Sequence, residues 1–150
     1  MLKRLLLLLP VLLLASCTAS PVKEVSQALD LSLPEGDIIV DIDTHGGFHG
    51  DGESCIVLAF APENGEALAE ELAARSDWQA LPLDELSTNV LDSICSLLED
   101  DGLSYAIPEQ GWYWYQDRSP AGHSREFPLN CTIAIYDPQS FQLAYFELDT

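Results

Sequence analysis

The densest group of side chains that could do chemistry lies in one short glycine-rich stretch. Asp41, Asp43 and His45 occupy alternate positions, and His49 and Asp51 follow shortly after them. Carboxylate oxygens and imidazole nitrogens are common ligands of divalent cations in proteins. We therefore treat Asp43, His45, His49 and Asp51 as candidate ligands of a divalent cation, which is the only cofactor that the sequence suggests.

The same stretch permits more than one interpretation. It begins like a calcium-binding loop, but His45 stands where an oxygen ligand is usual and Gly52 stands where a bidentate glutamate belongs. His45, His49 and Asp43 suit zinc or another transition metal better. Alternatively, the glycines supply the positive φ angles of a sharp reversal, and the histidines and Asp51 hydrogen-bond the loop backbone.

A hydrolase mechanism is the enzymatic alternative for this hairpin. It needs a nucleophile beside a base, and the nearest candidates are Ser54 or Cys55 with His45 or His49, oriented by Asp43. The order of these residues matches no hydrolase signature, and there is no G-x-S-x-G motif. We expect Cys55 to face inward on its strand and to be unreactive. A non-enzymatic protein that acts by binding is therefore favoured.

A second candidate contact surface is the aromatic run formed by Trp112, Tyr113, Trp114 and Tyr115. Alternate side chains of a strand face opposite sides, so one side of the run can enter the core while the other offers rings to a ligand. Exposed rings stack on sugars or receive the apolar side chains of a protein partner. Packing of both sides into the core is the structural alternative.

The first residues predict export and attachment to a membrane. Lys3 and Arg4 give a basic start, residues 5–14 are apolar except for Pro10, and Leu-Ala-Ser-Cys closes the segment at Cys17. This arrangement is that of a secretory signal. It resembles the bacterial lipoprotein signal, whose cysteine receives a diacylglycerol thioether before the leader is removed. We therefore predict an extracytoplasmic protein that is anchored to the bacterial membrane through lipid on Cys17.

The apolar run of this leader is too short for a membrane span, because it covers about half of the roughly 20 residues that a bilayer requires. Two or more acyl chains on one cysteine anchor a protein stably, whereas a single chain binds only marginally. The membrane is accordingly the first predicted partner.

The charge balance restricts the remaining partners. The chain has 6 basic and 25 acidic side chains, and removal of residues 1–16 leaves four basic ones, a net charge of about −21. Such a field repels phosphates, which excludes nucleic acid, and it attracts cations and basic groups. Arg118 and Arg125 share one loop with His123, where we expect them to neutralise nearby acids. We expect a monomer with a cationic, protein or glycan partner.

Three cysteines remain when Cys17 carries lipid, namely Cys55, Cys95 and Cys131. Export permits a disulfide without requiring one, and the spacing matches no zinc or redox motif. All three stand in apolar surroundings, which favours three buried small side chains over one bridge and one free thiol. The sequence leaves the choice of a pair open.

Hydrophobic periodicity predicts strands at both ends of the domain and helices between them. Alternation over 37–45 and 53–60 predicts a β-hairpin closed by the glycine-rich stretch. Asn64 is a candidate N-cap for a helix through Arg75, and Asp84 for a second helix that Gly102 terminates. Further strands are predicted at 112–117, 131–136 and 141–148, the last two joined by a proline-containing turn over 137–140.

In the first of these strands, strict alternation predicts two faces of different character. One face is predicted to carry Ile38, Val40, Ile42 and Thr44, and the other to carry Ile39, Asp41, Asp43 and His45. The apolar face is the one expected to enter the core.

This order of elements indicates an α+β fold. It predicts an antiparallel sheet of about five strands, made of two β-hairpins and the aromatic strand and packed against two helices. Residues 1–16 are assigned to the signal peptide, 17–36 to the lipidated cysteine and a tether, and 37–150 to a single domain. The tether holds at most one helical turn, around Val25 and Leu29.

The hairpin also carries a family resemblance. From Asp43 to Gly52 the chain reads D-T-H-G-G-F-H-G-D-G. With residues 100–103, the aromatic strand and the closing segment 145–149, it resembles a family of small, uncharacterised bacterial lipoproteins, mostly from Firmicutes-type organisms, that carry a D-x-H-G-G-F-H-G-D-G hairpin before an apolar strand. The resemblance implies the location and the domain boundaries, and it supplies no activity.

Overall fold

A computed structural model describes residues 20–46, 50–123 and 128–150, and within them a mixed α+β fold. The described elements, in chain order, are α1 (Pro21–Ala28), β1 (Gly36–Asp43), β2 (Gly52–Phe60), α2 (Pro62–Ala74), β3 (Gln79–Ala80), α3 (Glu85–Leu97), β4 (Trp112–Asp117), β5 (Cys131–Asp137) and β6 (Gln142–Asp149).

The strands form one sheet in the order β1-β2-β6-β5-β4-β3, and all neighbouring pairs are antiparallel. The β5–β6 hairpin is inserted between β2 and β4, so the last strands of the chain lie in the middle of the sheet. The predicted α+β class with an antiparallel sheet is confirmed. The strand beyond the predicted five, β3, is Gln79 and Ala80 alone, which is too short for alternation to be visible in the sequence.

Helices cover the sheet on both faces and divide the core into two layers. On one side, which we call the α1/α2 face, Val25 and Leu72 pack with Tyr145. On the other side, the α3 face, Ile94 packs with Phe146. Full burial of a side chain of this size contributes roughly 1.5–3 kcal/mol, so the two layers hold the sheet from both sides.

The first helix is longer than the sequence predicted and belongs to the folded domain. Ser20 caps α1 by accepting a hydrogen bond from the backbone N–H of Lys23, and Val25 is fully buried against the sheet. Leu29 and Leu31 are buried in the same layer. Residues 21–31 therefore form part of the core, although they were predicted to belong to a tether over 17–36.

The other two helices follow the predicted pattern with one shift. α2 begins at Pro62, ahead of the predicted cap Asn64, because proline is well suited to the first position of a helix. α3 begins as predicted, since the Asp84 carboxylate accepts a hydrogen bond of 2.7 Å from the backbone N–H of Ser87. Gly102 follows α3 with a positive φ of 92°, a conformation that favours glycine.

A β-bulge in β1 breaks the predicted alternation. Ile38 pairs with Leu58 and Val40 pairs with Val57, which leaves Ile39 without a cross-strand partner. One extra residue in a strand reverses the facing of every residue beyond it. The faces of β1 therefore change between Ile38 and Val40.

This bulge changes which residues share the apolar face of β1. Val40 and Ile42 pack against the α3 layer as a pair, while Ile38 lies opposite a residue of the α1/α2 layer. The predicted grouping of Ile38 with Val40 and Ile42 is therefore wrong. Asp41 and Asp43 do lie together on the α1/α2 face, as the alternation predicted.

Candidate functional site

The hairpin end of the α1/α2 face carries a small cleft, and half of the residues that line it are acidic. Cross-strand pairing places Ser54 of β2 between Asp43 of β1 and Glu147 of β6, and cross-strand partners point to the same face of a sheet. The cleft has a volume of about 60 Å³. We call it the acidic cleft, and it is lined by Glu24, Asp41, Ile42, Asp43, His45, Ser54, Ile56 and Glu147.

Gly52 is what allows His45 to lie across the rim of this cleft. A Cβ atom at position 52 would stand 2.6 Å from the Cα of His45, which is closer than any side chain tolerates. Gly52 pairs with Asp149 on its other side. With no side chain between them, His45 reaches from β1 toward β6.

The imidazole of His45 lies between two carboxylates. Its Nδ1 is 2.7 Å from Oδ1 of Asp43, and its backbone N–H donates to the same oxygen at 2.9 Å. Its Nε2 is 3.5 Å from Oδ2 of Asp149, close enough for electrostatic attraction but without hydrogen-bond geometry. Burial raises the pKa of Asp43, but the hydrogen bonds and charge of His45 outweigh it and leave that pKa below its ordinary value.

Arg118 neutralises the acids on the β6 side of the cleft. Its guanidinium group lies 2.6 Å from Glu147 and 2.9 Å from Asp149. It also donates to the Thr132 hydroxyl at 3.0 Å and to the carbonyl of Cys131 at 3.3 Å. The two ion pairs bear out the neutralising role expected of Arg118, whereas Arg125 lies outside the described residues.

Glu24 and Asp41 lack a comparable countercharge. Within the described residues, neither carboxylate forms an ion pair. Burial raises the pKa of Glu24, and the charges of Glu147, Asp43 and Asp41 raise it further, while His45 acts in the opposite direction. The cleft is therefore a place where negative charge is gathered without full compensation.

Ser54 adds a buried hydroxyl to the same cleft. The residue is 4% exposed, and its Oγ has no hydrogen-bond partner. Buried polar atoms almost always have a partner, because leaving one unpaired costs about 1–3 kcal/mol. An unpaired hydroxyl between two acidic strands is a local conflict of the kind that marks functional sites.

The predicted metal ligands are only partly within the described chain. Asp43 and His45 are hydrogen-bonded to each other, and Asp51 is exposed and is not among the residues that line the cleft. His49 lies outside the described residues, and so does Cys17. Across the parts of the chain that the structure describes, no group of three or more His, Cys, Asp or Glu side chains is placed to hold a metal ion.

The predicted hydrolytic arrangement is incomplete in the structure. Ser54, His45 and Asp43 line the same cleft, but the unpaired Ser54 hydroxyl makes no hydrogen bond to His45. Cys55 faces the α3 layer with no exposed surface, and burial raises the pKa of its thiol to about 12. It is therefore protonated and unreactive at neutral pH, as predicted.

The other two cysteines resemble Cys55 in their surroundings. Cys95 and Cys131 pack in the α3 layer, and all three thiols are free. Burial also raises the pKa of Cys131 to about 12. The prediction of three buried small side chains fits Cys55 and Cys131, while Cys95 is half-buried.

The aromatic strand is packed on both sides. Trp112 stacks on Tyr136 with 6.3 Å between ring centroids, and Trp114 packs in the same layer. On the α3 face Tyr113 is 2% exposed and Tyr115 is half-buried. Both sides of the predicted contact surface therefore contribute to the core, which leaves a smaller ring area for a ligand than an open face would provide.

A larger groove opens on the other face, beside the first turns of α3. It has a volume of about 830 Å³, and its walls include Leu86 and Val90 of α3 and Leu148 of β6. Pro128, which directly follows residues outside the described part of the chain, forms part of its wall. The acidic cleft is far smaller, but it is where the titratable side chains gather, so we regard it as the candidate site.

Half of the acidic cleft could be predicted from the sequence. Asp41, Asp43 and His45 were predicted as a group, and Ser54 was predicted only as a candidate nucleophile. Glu147 was not predicted, and its signal was the alternation of Tyr145, Glu147 and Asp149 along one strand face. Glu24 gave no signal, because α1 was not predicted as a packed helix.

Comparisons with protein-family models, with curated proteins and with solved structures found no match to this chain. Among the helices that the structure describes, none has the length and apolar character needed to cross a membrane.

Proposed function

We propose that this chain is a lipid-anchored, extracytoplasmic bacterial protein that acts by binding, and that its acidic cleft engages a positively charged group of a partner. The single observation that carries the binding role is the gathering of Glu24, Asp41, Asp43 and Glu147 around one small cleft with incomplete neutralisation. Charge of one sign inside a concave surface attracts ligands of the other sign.

The anchoring part of the proposal is supported by the N-terminal sequence. A basic start, an apolar run and a cysteine after Leu-Ala-Ser are the features of a lipoprotein signal. The family resemblance of the hairpin supports the same location. The protein then acts as a monomer held at the membrane by lipid on Cys17.

A hydrolase has less support than a binding protein. Nucleophilic catalysis requires a base within hydrogen-bond reach of the nucleophile, and Ser54 has no such bond. Of the two candidate bases, His45 is directed between Asp43 and Asp149 instead, and His49 lies outside the described residues.

Lipid attachment is tested by expressing the whole chain, leader included, in a bacterium fed an alkyne-tagged fatty acid. The chain should acquire the tag and partition into detergent, and Cys17→Ala should lose both properties. External protease should digest the domain in cells whose outer barrier has been removed. Tag on the Cys17→Ala chain, or protection from the protease, would refute the anchoring proposal.

Binding is tested with the lipidated chain in neutral detergent and a fluorescent peptide that alternates lysine or arginine with glycine. The triple variant Asp41→Asn/Asp43→Asn/Glu147→Gln should weaken binding by about tenfold or more. The matched control is Asp92→Asn/Glu99→Gln/Asp100→Asn, which removes the same charge from α3 and the turn after it. Equal losses in the two variants would show a non-specific field and would contradict a role for the cleft.

A further inference from the structure

The acidic cleft contains one feature that acidity alone does not explain, and it points to the chemistry of the ligand. Five buried polar atoms of the described residues lack hydrogen-bond partners, and two of them, His45 Nε2 and Ser54 Oγ, belong to this cleft. Ser54 is the more deeply buried of the two, at 4% exposure. Its hydroxyl lies between β1 and β6, beside Asp43 and Glu147.

The cleft is lined mainly by hydrogen-bond acceptors. Its four carboxylates accept hydrogen bonds and do not donate when ionised, and the hydroxyl of Ser54 can donate to one of them while it accepts from a ligand. A complementary ligand must therefore bring several donors and a positive charge. An ammonium group provides both, with three N–H donors and no acceptor.

The small size of the cleft favours a compact cationic group at the end of a narrow chain. A volume of about 60 Å³ corresponds to roughly two water molecules at their liquid volume of about 30 Å³ each. An ammonium group with its first methylene fits this space, and the apolar side chain of Ile56 can contact that methylene. A guanidinium group is planar and wider, with three nitrogens in a rigid arrangement, so we expect it to fit the cleft less well.

The arrangement of the carboxylates also favours an ammonium group over a divalent metal ion. Calcium requires six to eight oxygen ligands in one shell, whereas no three acidic or imidazole side chains of the described residues converge to that extent. An ammonium group requires only a few acceptors and a flexible stem, so it tolerates carboxylates that surround a cleft without meeting at one point.

We propose that the acidic cleft binds a primary ammonium group at the end of an aliphatic chain, with the Ser54 hydroxyl as its buried acceptor. The proposal rests on the binding function proposed above and names the chemistry that this function recognises. Such a group is carried by a lysine side chain of a polypeptide or by a free alkylamine, and the experiment below distinguishes these sources.

The test uses the full lipidated chain, labelled with ¹⁵N in neutral detergent micelles, and follows amide shifts near Ser54. The probes are a blocked Gly-Gly-Lys-Gly-Gly peptide, the same peptide with arginine or with acetyl-lysine, butylammonium chloride and calcium chloride. The lysine peptide and butylammonium should bind, and the acetyl-lysine peptide should not. Tighter binding of the peptide than of butylammonium identifies a polypeptide as the source, and equal binding identifies a free amine.

Ser54→Ala is the decisive variant because it separates binding from folding. The hydroxyl has no partner in the free protein, so its removal should raise the melting temperature by a few degrees. The same change should weaken binding of the lysine peptide by about tenfold, since a hydrogen bond to a charged group is lost. Ser87→Ala removes a buried, unpartnered serine hydroxyl on α3, away from the cleft lining, so it is the matched control and should leave the affinity unchanged.

Three results would overturn the inference. They are an unchanged affinity in Ser54→Ala, equal binding of the lysine and arginine peptides, and saturation of the cleft by calcium with displacement of the lysine peptide. If Ser54→Ala has no effect while the triple acidic variant still loses the polycation, the proposed binding function stands and only the ammonium site fails. If neither Ser54→Ala nor the triple acidic variant weakens binding, both the ammonium site and the proposed binding function fail.

Discussion

Two adjacent residues of β2, Ser54 and Cys55, show how differently the two faces of this sheet are built at the hairpin end. Both are buried. Cys55 enters the apolar α3 layer, where it packs near Phe146. Ser54 enters the acidic cleft on the opposite face, between Asp43 and Glu147, with its hydroxyl unpaired.

The α3 face is packed in a way that favours folding, whereas the α1/α2 face retains buried or crowded polar groups that oppose it. On the α3 face, alternate residues of the central strands are apolar and their burial favours folding. On the α1/α2 face, α1, β1 and β6 bring carboxylates together around Ser54 of β2, and within the described residues Glu24 and Asp41 form no ion pair. Ligand-binding sites commonly retain such destabilising groups, and substitutions that remove the groups stabilise the protein at the expense of function.

The largest expected effect is on the α3 face. Phe146→Ala removes a fully buried ring that contacts Tyr105 edge-on at 4.9 Å between centroids, and it should lower the free energy of unfolding by about 3–5 kcal/mol. The neighbouring change Glu147→Gln, on the other face, should alter it by about 1 kcal/mol or less. Urea denaturation of both variants measures the contrast, and similar losses would show that the two faces do not differ as described.

An intermediate effect on stability is expected from removal of Arg118, which neutralises part of the negative charge at the cleft. Arg118→Ala leaves Glu147 and Asp149 next to the other acids without their cation, and it should cost about 1–2 kcal/mol of unfolding free energy. Because the remaining repulsion is screened by ions, the loss should shrink in 1 M NaCl.

Arg75→Ala is the matched control for that measurement. Arg75 pairs with Asp77 at 2.8 Å on the protein surface, away from the acidic cleft, and its loss should cost at most about 1 kcal/mol. A cost for Arg118→Ala that is no larger than this, at low salt, would mean that the acids of the cleft do not depend on their guanidinium partner.

The smallest effect concerns the pH dependence of stability. Burial and three neighbouring carboxylates hold the pKa of Glu24 above its ordinary value of 4.5. The folded state therefore binds its proton more tightly than the unfolded state, and the free energy of unfolding falls as the pH rises from about 4.5 through the folded pKa.

Glu24→Gln should remove this loss, so the variant should be more stable than the original chain at pH 7. Since the side chain is largely exposed, the gain should be a few tenths of a kcal/mol, and it should shrink as the pH falls toward 4.5. Thermal unfolding between pH 4 and 8 measures it. A gain that grows at low pH would have the wrong sign for a carboxyl with a raised pKa.

The parts of the fold that the sequence predicted are those with long patterns or strong local signals. The cap at Asp84 and the apolar stripe after it specify α3, and the turn over 137–140 specifies the β5–β6 hairpin. β3 is only two residues long, so its pairing depends on Tyr113 rather than on a pattern of its own. The bulge at Ile39 depends on the register against β2, which no single strand reveals.

The same reasoning explains what was predicted of the site. Asp41 and Asp43 lie on β1 and His45 follows two residues after its end, so alternation along the chain was enough to group them. Glu24 and Glu147 reach the cleft from opposite ends of the chain, and only the sheet order brings them together. Long-range pairing of this kind has no local signal, which is why the acidic cleft could be predicted only in part.

If Cys17 carries the proposed lipid, the packing of α1 limits how far the domain can stand from the bilayer. Ser20, which caps α1, follows Cys17 by three residues, a distance of about 11 Å when fully extended. Glu24, in the first turn of that helix, then stays within roughly 20 Å of the headgroups. A partner that is itself held at the membrane would meet the cleft in a thin layer above the lipid, where a search in two dimensions replaces diffusion through the bulk.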